Sequence, residues 1–237
     1  MKNETIFAFI DNIFSQLCSI SDAIFDYAEI GYQEFRSSAL LRQGLERHGF
    51  AIEDLSAQVP NAFLARTGSG APTVAILAEF DALPGSSQLA GVAEPQQNAD
   101  ETIKGFHGCG HHLFATACYG AALAAQHAMQ AHHLPGTLVF CACPAEEGGA
   151  GKTRMVQAHA FDGVDCAITW HPDKMNAMRL FHTSALARYD FRFYGTGAHA
   201  ANDPENGRSA LDAVELMNVG VNYLREHIPS TARVHYA

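Results

Sequence analysis

The segment TVAILAEFD (residues 73–81) begins as an uninterrupted apolar run and ends in two carboxylates, and this arrangement decides the fold that we predict. Two other runs, TLVFCA (137–142) and VDCAIT (164–169), are equally short and apolar. Continuous hydrophobicity over such lengths is typical of strands buried on both faces, as in a parallel sheet. The sequence therefore predicts an α/β fold with a mostly parallel central sheet.

Polar side chains follow each of these predicted strands. They are carboxylates after the first two and an imidazole after the third: Glu79, Asp81, Glu146, Glu147 and His171. In open α/β sheets, ligands bind beyond the carboxyl ends of the strands, so we expect these side chains to meet at one edge of the sheet. Residues 82–107 form an unusually long connection, which is predicted to be a functional or mobile loop at the same edge.

Three segments have the periodicity of helices. Apolar residues recur at helical spacing over residues 6–17, and an amphipathic stretch covers residues 35–48. An alanine-rich segment over residues 112–131 is long enough to be the crossover helix between the first two strands. We expect these helices to pack against the sheet.

The pattern changes after Asp173. Residues 186–194 (LARYDFRFY) alternate in polarity, as in a half-exposed antiparallel strand, and a helix over 209–227 and a strand over 233–236 are predicted to follow. We therefore predict a catalytic domain at residues 1–182 and the beginning of a smaller domain at 183–237. That second domain is expected to be incomplete.

Composition narrows the class of protein. Asp and Glu number 25 against 15 Lys and Arg, a formal charge of −10, so a nucleic-acid partner is not expected. No uninterrupted apolar run approaches the roughly 18 residues of a membrane span, so no membrane partner is expected either. Six cysteines without a CxxC pair predict reduced thiols and a cytoplasmic location. Thirteen histidines favour a metal site.

The motif HGCGHH (107–112) places a thiol and imidazoles at a predicted helix start. The helix dipole there would help to hold Cys109 as a thiolate, and thiolate and imidazole are good zinc ligands. Two other interpretations remain open at this point. The motif could be a surface histidine cluster, or Cys109 could be a nucleophile paired with a histidine.

The motif CPAEEGG (143–149) carries two adjacent carboxylates directly after a predicted strand. Adjacent residues point in different directions, so one could bind a metal ion while the other acts as a general base. Taken alone, two such residues would more often be a solvated loop. The following GGAGKT is not a phosphate-binding loop, because Glu146 occupies the position of its first glycine.

Six motifs occur in an order and spacing that resemble the M20 metallopeptidase family, in its aminoacylase-like amidohydrolase branch. They are AEFDALPG (78–85), HGCGHH (107–112), CPAEEGGAGKT (143–153), TWHPD (169–173), AHAAN (198–202) and GRSALDAV (207–214). The resemblance implies a catalytic α/β domain, an α+β (ferredoxin-like) lid domain that dimerises, and two divalent metal ions, Mn²⁺ or Zn²⁺.

The resemblance also implies ligands for these ions. Cys109 would bridge the two ions, and His111 and His171 would complete the protein ligands of one of them. Glu147 would bind the other ion, whose last ligand in the family is a histidine close to the C-terminus. Because this chain lacks that later region, we expect it to hold one ion or none by itself.

Catalytic roles follow from the same resemblance. Glu146 would be the general base that activates the water between the ions, and Asp81 would orient a ligand imidazole. His199, in the second domain, would reach across a dimer and stabilise the oxyanion. Taken alone, His199 is equally consistent with a turn residue that bonds to local backbone. His112 departs from the family, which has an acidic or amide residue there.

The implied activity is hydrolysis of the amide bond in N-acyl amino acids, with aminobenzoyl-glutamate or a similar aryl amide as the expected substrate. The lid domain implies a homo- or hetero-oligomer. The alternative is a catalytically incomplete fragment, or a non-catalytic binding partner of a full-length subunit.

Overall fold

The computed structural model of the chain describes residues 3–178 and 184–237. These residues form two compact units, residues 1–175 and residues 176–237. The predicted boundary at 182/183 lies outside the described residues. The assignment of the second unit as the beginning of a lid domain stays a prediction.

The first unit contains five helices and seven strands among its described residues. In chain order they are α1 (Asn3–Tyr27), α2 (Phe35–Arg47), β1 (Ala51–Asp54), β2 (Phe63–Ser69), β3 (Thr73–Glu79), β4 (Leu83–Pro84), β5 (Gly105–Phe106), α3 (His111–Ala131), β6 (Gly136–Cys143), α4 (Glu146–Gly149), α5 (Gly151–Gln157) and β7 (Cys166–Ile168). The three helices predicted before residue 132 and the three predicted strands are confirmed. Strands β1 and β2 were not predicted.

The central sheet has five strands in the order β1-β2-β6-β3-β7. Strand β3 pairs in parallel with β6 and with β7, whereas β2 pairs antiparallel with both β1 and β6. The α/β prediction is confirmed, and the sheet is mixed. Strands β4 and β5 pair separately and close the base of the long loop at residues 85–104.

The central strands are buried on both faces, as predicted. Along β6, Phe140 packs into the cluster beneath α1, α2 and α3, while Val139 and Cys141 pack into a second cluster with Met155 of α5. Alternate residues of a strand point to opposite faces, so both faces of β6 are covered. For β7 the prediction is wrong: residues 166–168 are exposed, because this strand lies at the edge of the sheet.

The second unit contains a helix, α6 (Ala210–Leu224), which a 3₁₀ turn at Arg225–His227 extends. The Ser209 hydroxyl accepts a hydrogen bond from the Asp212 backbone N–H and caps the helix. This confirms the predicted helix. The strands predicted at 186–194 and 233–236 are absent, because no other described segment pairs with either of them.

Two predictions from composition can be compared with the structure. None of the six cysteines forms a disulfide, so all are free thiols as predicted. Across residues 3–178 and 184–237, no helix combines the length and apolar character that a membrane span needs.

Candidate metal centre

The carboxyl ends of β3 and β6 bring the predicted site residues of the first unit together. The two strands are parallel neighbours in which Glu79 pairs with Cys143, so the residues after both strands leave the sheet at the same edge. Helix α3 begins at this edge with His111. The predicted convergence of polar side chains at one edge is therefore observed.

His111 is the centre of the cluster. Its side chain is fully buried, and Nδ1 lies 2.9 Å from Oδ1 of Asp81. A carboxylate can only accept, so Nδ1 carries the proton and donates it to Asp81. The lone pair of a neutral His111 ring is therefore on Nε2, which faces Glu79 Oε2 at 3.2 Å and Glu147 Oε1 at 3.9 Å.

The surroundings of this lone pair fit a cation site. His111 Nε2 and Glu147 Oε1 are both buried and lack a hydrogen-bond partner among the described residues, although carboxylate oxygens lie nearby. An unshared pair facing carboxylate oxygens is repulsive unless a proton or a metal ion lies between them. Burial by itself lowers the pKa of His111, but the Asp81 hydrogen bond and the carboxylates outweigh it and raise the pKa.

Cys109 and His171 complete a three-residue donor group with His111. Cys109 Sγ lies 3.3 Å from His171 Nε2, and one donor atom from each of the three residues lies within 4.8 Å of the others. Nδ1 of His171 lies 2.9 Å from the Pro172 carbonyl oxygen and can donate to it, which leaves Nε2 free to bind. Gly110 leaves room for Pro172, the residue after His171, because a Cβ added at Gly110 would lie only 3.0 Å from Pro172 Cγ.

The expectation that Cys109 is held as a thiolate is wrong for the metal-free chain. Burial first, and then the negative charges of Glu147 and Glu146, raise the pKa of Cys109 to about 12. These carboxylates outweigh any effect of the helix dipole. Only a nearby cation would make the thiolate favourable at neutral pH.

Sequence reasoning placed Glu79 at this edge of the sheet without giving it a role in the site, and it missed Lys152. Glu79, His111 and Glu146 form a second group whose donor atoms lie within 4.8 Å of one another. The Lys152 ammonium group contacts Glu79 and partly neutralises this acidic cluster. The position of Glu79 at the end of β3 was a usable signal for this residue, but nothing in the sequence linked it to Lys152.

Glu146 and Glu147 differ in surroundings although they are adjacent. The Glu146 side chain is 43% exposed, against 15% for Glu147. The Glu147 backbone N–H donates to Asp81 Oδ2 at 2.9 Å, so Asp81 contacts both His111 and the segment that carries the carboxylates. Burial and then the charge of Glu79 raise the pKa of Glu146.

His199 lies in the second unit, in the turn before the 3₁₀ helix Pro204–Asn206. Its Nδ1 accepts hydrogen bonds from the backbone N–H groups of Ala201 and Asn202, both at 3.2 Å. This is the local backbone contact that one interpretation of the sequence predicted. The neutral ring then carries its proton on Nε2.

Together these donors fit a divalent metal site. The described residues offer sulfur, imidazole and carboxylate donors at a buried point where two polar atoms lack partners. The three-residue group of Cys109, His111 and His171 suits a zinc-like ion, and the carboxylates suit harder ions.

Asp81→Asn is expected to weaken metal binding about 10–100-fold, the usual cost of losing the partner of a ligand imidazole. Asp81 accepts hydrogen bonds from the His111 ring and from the Glu147 backbone N–H. The oxygen of the neutral amide can accept one of them, but the amide nitrogen then points an N–H group at the other donor. Isothermal titration with Zn²⁺ measures the change. Asp162→Asn, at an exposed aspartate whose carboxylate pairs with His159, is the matched control. Equal affinities in both variants would contradict this role of Asp81.

A profile of peptidase family M20/M25/M40 matches residues 75–233, a range that contains all six motifs. The chain therefore belongs to this family of hydrolases, as the motifs predicted. It is 44% identical to one of the subunits of p-aminobenzoyl-glutamate hydrolase of Escherichia coli (strain K12), over 99% of this chain and 49% of that protein. It is 31% identical to Xaa-Arg dipeptidase of Mus musculus, over 95% of this chain and 51% of that protein. The chain spans about half the length of these curated relatives.

Solved structures share the fold of this chain. A Bacillus subtilis protein, YXEP, described as a dinuclear metal-binding peptidase of the M20 family, superposes with a TM-score of 0.59 at 24% identity, covering 69% of this chain and 44% of that one. An aminobenzoyl-glutamate utilization protein from Klebsiella pneumoniae superposes with a TM-score of 0.54 at 19% identity, covering 87% and 57%.

Proposed function

We propose that this protein takes part in metal-dependent hydrolysis of the amide bond in N-acyl amino acids, with p-aminobenzoyl-glutamate or a similar aryl amide as substrate. The observation that carries the proposal is the buried lone pair of His111, which faces carboxylates beside a thiol and a second imidazole. The substrate is proposed from the name of the 44% identical relative.

Four residues are proposed to hold the ions. Cys109, His111 and His171 would bind one ion, since their donor atoms lie within 4.8 Å of one another. As the family resemblance implies, Cys109 and Glu147 would contribute to the other. Divalent ions held there supply Lewis acidity to the amide carbonyl and increase the acidity of water. Asp81 would fix the His111 ring with Nε2 towards the ions, supported by its hydrogen bond to Nδ1.

Glu146 is proposed as the general base. It would take a proton from the attacking water and pass it to the leaving amine nitrogen. Two properties support this role: the side chain is partly exposed, so water can reach it, and burial and the charge of Glu79 raise its pKa, which favours uptake of a proton.

His199 is proposed to stabilise the oxyanion that develops on the amide oxygen. Its Nε2–H is free to donate, because Nδ1 already accepts two backbone hydrogen bonds. The second unit would bring His199 to the site of a partner subunit in a homo- or hetero-oligomer. The bacterial relative is named as one subunit of its enzyme, which supports a partner. The unpaired thiols support a reducing cytoplasm as the location.

The test is release of p-aminobenzoate from p-aminobenzoyl-glutamate by the purified chain, supplied in turn with Mn²⁺ and Zn²⁺. We expect release that EDTA abolishes and that re-added metal restores. Activity that persists after chelation would contradict the proposal and favour a thiol hydrolase that uses Cys109. The raised pKa of Cys109 argues against that mechanism, because the thiolate is the nucleophile.

The competing hypothesis is a non-catalytic chain that binds a complete subunit. It predicts metal binding without turnover, and turnover only when a catalytic partner is added. Assaying the chain alone and together with the full-length Escherichia coli relative separates the two hypotheses.

A further inference from the structure

The loop between α1 and α2, residues 28–34, contacts both segments that carry the candidate site. We call it the connecting loop. The Glu29 carbonyl oxygen accepts a hydrogen bond from the Ala82 backbone N–H at 2.8 Å, and Ile30 forms a parallel bridge with Ala82. The Glu29 carboxylate in turn accepts from the backbone N–H of Arg36 at 2.9 Å, which ties the loop to α2. The loop is thus attached next to Asp81.

Glu34 extends this contact to the second segment. Its side chain is completely buried, and Oε1 accepts a hydrogen bond from the Ala145 backbone N–H at 2.7 Å. Oε2 accepts from the Asn61 side-chain amide at 3.1 Å. Burial raises the pKa of Glu34 to about 7 although these hydrogen bonds act in the opposite direction. Burying a carboxyl group costs free energy, so hydrogen bonds to both Glu34 oxygens indicate that this side chain has a role in the structure.

Tyr32 adds a second contact to the same segment. Its hydroxyl donates to the Gly149 carbonyl oxygen at 2.6 Å. The space around Gly149 is closely filled, since a Cβ there would lie 2.6 Å from both Tyr32 Cε2 and Ala145 Cβ. Gly31 also packs against Ala145, since a Cβ added at Gly31 would lie 3.1 Å from Ala145 Cβ.

Ala145 requires such support. It has φ of 54°, in the left-handed region that residues with a Cβ seldom occupy, and it directly precedes Glu146 and Glu147. A residue in this region keeps its conformation when surrounding contacts hold it. The direction of the chain at Ala145 decides where the next two side chains point.

We propose that Glu34 is a positioning residue, which acts through the backbone of Ala145 to orient Glu146 and Glu147 towards the donor atoms of Cys109 and His111. Ala145 precedes the short helix α4, and Tyr32 assists Glu34 at the other end of that helix, at Gly149. The inference rests on the proposed function for its catalytic meaning. The positioning itself can be tested without metal or substrate.

The first test is amide hydrogen exchange by NMR on the metal-free chain. Glu34→Ala leaves the Ala145 N–H without its acceptor, so exchange at residues 145–151 should accelerate at least about tenfold, while residues 138–142 of β6 keep their rates. Glu34→Gln retains an acceptor for Ala145, and the Asn61 amide can reverse to match it, so exchange should stay close to wild type. Glu46→Ala, at an exposed glutamate of α2, is the matched control.

Unchanged exchange at 145–151 in a folded Glu34→Ala variant would overturn the proposal, and so would an increase spread equally over β6 and α3. If Glu34→Ala does not fold, Tyr32→Phe provides the test. It keeps the packing and removes only the hydroxyl, so exchange near Gly149 should rise; wild-type rates there would count against the proposal.

The second readout is metal binding and catalysis. Glu34→Ala should weaken binding that depends on Glu147 while the Co²⁺–thiolate absorption of Cys109 persists, and kcat should fall more than KM rises. Glu34→Gln should restore both. If no amide hydrolysis is found in any variant, the proposed function fails while the exchange result still decides the role of Glu34.

Discussion

Glu146→Gln is expected to lower the rate of amide hydrolysis roughly 10²–10⁴-fold, the usual contribution of a general base. Glutamine keeps the shape of the side chain but cannot accept and return a proton. The affinity for Zn²⁺ or Mn²⁺ and the thermal stability should change little, since the Glu146 side chain is 43% exposed and lies 4.0 Å from His111 Nε2. Steady-state kinetics and isothermal titration on the same preparation measure both quantities.

Glu147→Gln is the matched comparison, because it makes the same chemical change one residue later. It should weaken metal binding, and activity should recover in part at high metal concentration. The opposite result, in which Glu146→Gln weakens binding and Glu147→Gln does not, would exchange the two roles. The structure allows this exchange, because donor atoms of Glu146, Glu79 and His111 lie within 4.8 Å of one another.

His111→Ala is expected to have the largest effect on metal binding. His111 is the one residue common to both donor groups found among the described residues, and it is a proposed ligand of the ion that Cys109 and His171 would also hold. The decrease in affinity should exceed the roughly 10–100-fold expected when only the partner of a ligand is lost. Elemental analysis after dialysis and isothermal titration would measure it.

The control for this variant is His132→Ala, which removes an exposed imidazole just after the other end of the same helix, α3. Far-ultraviolet circular dichroism checks that each variant is folded, because His111→Ala also leaves the buried Asp81 carboxylate without its imidazole partner. Cys109→Ser avoids that problem and should also weaken binding. Metal loading that stays at the wild-type level in both His111→Ala and Cys109→Ser would contradict the assignment of the site.

The parts of the fold that sequence predicted are those that local patterns determine. Residues 73–78 and 137–142 are continuous apolar runs, and the burial of β3 and β6 on both faces follows from that pattern. Strand β1, AIED, has too few apolar residues to stand out, and it exists through its pairing with β2. Residues 186–194 alternate well, but alternation does not supply a neighbouring strand, so the predicted strand is absent.

The candidate site was predictable to the extent that its residues lie in recognisable motifs. Cys109, His111, Glu147 and His171 are placed at one edge because strand ends and a helix start deliver them there. The charge state of Cys109 was mispredicted, because it depends on carboxylates that are distant in sequence. Glu34 could not be found in this way: it precedes a helix like many polar residues, and its partner Ala145 is 111 positions away.

The acidic surroundings of Cys109 also govern how its sulfur reacts with oxidants. Peroxides and alkylating reagents attack thiolates, and a thiol whose pKa is raised to about 12 is almost entirely protonated in a cell. We therefore expect burial and the carboxylates around Cys109 to slow its conversion to sulfinic acid in the metal-free chain. If Cys109 binds an ion as proposed, the bound sulfur would be anionic but coordinated. The thiol would then remain available as a ligand until the ion arrives.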